Sequence, residues 1–115
     1  MYDPRAVEVG LGRLPSDEVM RGGLVVDIPT ADIGAADVVI SDDPVAAIGD
    51  VAPTIGAETE VIDASGMHPV PGLIDPHVHT EVTKMSITSC AEAVLPHATT
   101  SVCTAFDQIA PVKGI

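Results

Sequence analysis

The apolar positions of the chain fall into short runs separated by turn residues. Leu24-Val25-Val26-Asp27-Ile28 predicts a strand that stops at Pro29. Ile33-Gly34 makes a turn, and Asp37-Val38-Val39-Ile40 resumes the extended pattern. Asp42-Asp43-Pro44 is turn chemistry, because short carboxylates bond their own backbone and proline fixes φ. Val45–Ile48 predicts a third strand, ended by Gly49-Asp50, and Glu60-Val61-Ile62 a fourth after a loop rich in Pro and Gly. Strands at such spacing favour a small sandwich or sheet over alternating strands and helices. Residues 1–23 show no sustained period and read as an arm, so the expected units are an arm at 1–23, a β unit at 24–70 and a further unit at 71–115.

The pattern changes after Asp63-Ala64-Ser65-Gly66. Leu73-Ile74-Asp75 followed by His77-Val78-His79 predicts a strand. Pro76 lacks the N–H of a ladder, so regular pairing is expected to end or bulge near it. Ser86 or Thr88 caps a predicted helix through Cys90–Leu95, stopped by Pro96. Thr99–Thr104 then predicts another strand, giving one strand-helix-strand unit.

Composition narrows the function classes. The chain has 115 residues, of which 17 are Asp or Glu and 5 Lys or Arg, for a net charge of −12. That balance excludes nucleic acid and an anionic membrane surface as partners, since both need clustered cations. No run approaches the ~18 apolar residues of a spanning helix, and the opening lacks a secretory pattern. Cys90 and Cys103 form neither a CxxC nor a dense framework, so a reduced, cytoplasmic chain is expected. Tyr2 and Phe106 are the only aromatics, which leaves a core of small branched side chains. The length is far short of the ~250 residues of a (β/α)8 barrel.

The main chemical signal is His77-Val78-His79. On a strand, residues i and i+2 share a face, so both imidazoles can converge on one metal ion. Taken alone, the same pattern is also that of two ordinary strand histidines.

The surrounding residues change that balance. Val61-Ile62-Asp63-Ala64-Ser65-Gly66, then Val70-Pro71-Gly72-Leu73-Ile74-Asp75-Pro76-His77-Val78-His79, resembles the start of the metal-dependent amidohydrolase superfamily. Asp37–Gly49 is similar to that family's sandwich hairpin. Thr80-Glu81-Val82-Thr83, Pro96-His97-Ala98-Thr99-Thr100 and Ala105–Pro111 resemble the frame of the adenine deaminases within it. In the last of these segments the acidic, histidine and glutamate positions of that subgroup read Ala105, Asp107 and Gln108, which leaves the substrate open.

The resemblance implies a β-sandwich segment joined to the first strand-helix-strand unit of a (β/α)8 barrel, incomplete by itself. It implies one or two divalent ions (Zn, Fe or Mn) with His77 and His79 as ligands. Glu81 and Asp107 are candidates for substrate contact, and Asp75 for a partner of a histidine. The implied reaction is hydrolysis of a C–N bond, by deamination or cyclic-amide opening, in a nitrogen heterocycle such as a purine, with metal-activated hydroxide. His97 is expected to cap a helix end. Because a catalytic site of this kind needs about three protein ligands, the remaining donors are expected from another polypeptide that completes the barrel around a small-molecule substrate. The competing readings are a non-catalytic structural or regulatory subunit and a truncated remnant.

Overall fold

The computed structural model describes residues 3–80, 82 and 84–104, which divide into two units that meet at Val70/Pro71. In the first, helix α1 (Pro4–Gly10) precedes strands β1 (Glu18–Asp27), β2 (Asp32–Ile40), β3 (Val45–Gly49) and β4 (Glu60–Asp63). The sheet order is β3-β2-β1-β4, antiparallel through the first three strands and parallel between β1 and β4.

The expected arm is not an arm. Asp3 caps α1 by accepting the Arg5 N–H, Pro4 opens the helix, and Val9 is fully buried in a cluster with Val19, Val39 and Val51. A seven-residue helix carries too short an apolar pattern to register as periodic, and tertiary burial of Ala6 and Val9 holds it in place. Arg5 ties it down further. Its guanidinium pairs with both carboxylate oxygens of Asp17, at 3.0 Å for the Nη2 bond, and donates to the buried Ser41 Oγ at 2.7 Å. β1 likewise begins at Glu18 rather than near Leu24, because a bulge at Arg21-Gly22 interrupts its alternation. Asp37 secures that bulge, accepting from the Gly22 N–H at 2.9 Å and from Arg21 Nε at 3.1 Å.

Register places Ala47, Val39, Val19 and Val61 side by side on one face of the sheet, and Ile48, Val38, Met20 and Ile62 on the other. Both rows are apolar. The described residues of this unit contribute this one sheet, and α1 covers the first face through Val9. A sandwich requires a second sheet.

The second unit contains β5 (Leu73–Val78), α2 (Ile87–Val94) and β6 (Thr99–Thr104), with β5 and β6 parallel. The expected strand-helix-strand order is therefore present. Ser86 is the cap, its Oγ accepting the Ser89 N–H at 3.0 Å. Pro96 does not break the chain abruptly; it sits in a 3-10 turn, Leu95–His97, that tightens the helix end. Ala98 then adopts a left-handed conformation, φ 67°, and its carbonyl accepts the Leu73 N–H at 2.8 Å. None of the described helices is long and apolar enough to cross a membrane.

Candidate metal centre

The site is built from the end of β5. Pro76 donates nothing to the ladder, and pairing with β6 shifts register between Asp75 and Val78. Asp75 compensates locally: its Oδ1 accepts the His77 N–H at 3.0 Å, a turn across the proline. Asp75 thus meets a histidine through its main-chain N–H. The hydrogen bond it makes is to the His77 main chain, and it fixes the backbone from which the ring departs.

Beyond that turn the two imidazoles come together. Their centroids are 4.7 Å apart with ring planes at 63°, and the two Nε2 atoms are 2.9 Å apart. Two nitrogens bound to one ion at about 2.0–2.1 Å stand roughly 2.9–3.4 Å apart for angles between 90° and 110°. The spacing of the pair therefore fits joint ligation of one divalent ion. Among the described residues no group of three or more His, Cys, Asp or Glu side chains is placed to hold an ion. The pair alone supplies two donors of the three or more such a centre needs.

A shallow depression of about 250 Å3 opens at the histidines, lined by Pro76, His77, Val78, His79, Cys103 and Thr104. Cys103 and Thr104 were not anticipated at the site. Only the β5–β6 register, which sets Val78 opposite Thr104, brings them there. Thr104 Oγ1 is buried without a hydrogen-bond partner. Glu81, Ala105, Asp107 and Gln108 lie outside the described residues. His97 occupies the last residue of the 3-10 turn, an exposed position that matches its expected place at a helix end. His68 is exposed in the segment after β4.

The fold is similar to solved structures of metal-containing hydrolytic enzymes. N-acyl-D-glutamate deacylase from Bordetella bronchiseptica, complexed with zinc and a phosphonate inhibitor, matches with a TM-score of 0.61 and 27% identity, over 76% of this chain and 18% of that one. A D-aminoacylase variant in complex with copper chloride matches at 0.66 and 29%, over 79% of this chain and 19% of that one. The chain belongs to the amidohydrolase superfamily. Within it, the sequence is homologous to the adenine deaminases. Identity is 42% over 109 residues with adenine deaminase 1 of Desulfotalea psychrophila, 44% over 109 with that of Moorella thermoacetica, and 46% over 93 with adenine deaminase 4 of Rhizobium meliloti. These matches cover 81–95% of this chain but only 16–18% of the relatives. No protein-family model matches the chain.

Proposed function

We propose that these residues form the metal-holding front of a hydrolase that opens a C–N bond in a nitrogen heterocycle, with purines as the substrate class. The observation that carries this reading is the 2.9 Å approach of His77 Nε2 to His79 Nε2 at the end of a parallel strand. His77 and His79 would hold one divalent ion, Zn, Fe or Mn. A bound ion of that kind supplies Lewis acidity and lowers the pKa of water toward neutrality. Homology to adenine deaminases supports deamination, and the zinc and copper bound in the structurally similar deacylase and D-aminoacylase support a divalent metal.

In this reading Glu81 and Asp107 contact substrate. The remaining metal donors, and the acid that protonates the departing nitrogen, come from polypeptide beyond these 115 residues. The described residues hold no three-donor group, and the chain spans less than a fifth of the length of its relatives. The two isolated cysteines support a cytoplasmic setting.

Metal analysis of the assembled protein is the test. His77→Ala and His79→Ala should each strip most of the bound ion and abolish turnover. Unchanged metal content and turnover in both variants would overturn the reading in favour of a non-catalytic subunit.

A further inference from the structure

We draw no further inference here: the strongest candidate, the apolar surface patch at the end of the β1–β2 hairpin where Leu24, Ile28 and Ile33 are exposed, carries none because nothing in the structure shows what covers it.

Discussion

Asp75 and Pro76 decide between them where the histidines point. Proline removes a ladder bond, and the aspartate carboxylate takes up the His77 N–H two residues on, at 3.0 Å. Asp75→Ala should cost about 1 kcal/mol of stability in urea titration. It should also weaken zinc binding without removing a ligand, because the backbone that aims His77 is released. A second residue-scale feature lies at Ala98, which holds φ 67° at the hinge into β6. A β-carbon is strained in that region and glycine is not. Ala98→Gly should therefore raise the unfolding free energy in urea titration, by up to about 1 kcal/mol once the extra freedom of the unfolded chain is deducted. A loss of stability would show that the left-handed turn is not formed in solution.

At the scale of elements, α1 is held by packing and by one ion pair. Hydrogen bonding from Arg5, aided by the Asp42 N–H at 2.8 Å, keeps the Asp17 carboxyl below its ordinary value of 3.8. A depressed carboxylate stabilises the fold fully above the unfolded-state pKa, and that contribution disappears as pH falls through the folded-state value. Asp17→Asn should accordingly lower the denaturation midpoint at neutral pH, and its difference from the unsubstituted protein should close below pH 3.8. A gap that persists unchanged into acid would mean the pair contributes by packing alone. The Arg5 bond to Ser41 does not titrate and should survive in both proteins.

On the scale of the whole molecule, both units present surfaces that ask for more polypeptide. The four-stranded sheet carries apolar rows on both faces, with Ile48 58% exposed and Val61 50% exposed. The β5–β6 pair is a parallel sheet of two strands, a type found almost only buried on both faces. Large exposed apolar surface marks an interaction site. The chain is thus expected to elute in a complex heavier than a single 11.8 kDa copy, and to bring with it polypeptide bearing further histidine and carboxylate donors. A monodisperse monomer on size-exclusion chromatography with light scattering would show that these faces need no partner.

Legible along the chain were the strands of alternating or continuous apolar character, the helix after Ser86, the disturbance at Pro76 and the candidacy of His77 and His79. Each of those depends on neighbours within a few residues, where periodicity and turn chemistry act. Helix α1, the early start of β1 and the place of Cys103 depended on tertiary structure. Val9 gains its burial from Val19, Val39 and Val51, and Cys103 reaches the histidines only through the pairing of β6 with β5. Contacts between residues 10 to 42 positions apart leave no period in the chain. Only folding brings them into register, because it is the burial and pairing of distant segments that select one arrangement.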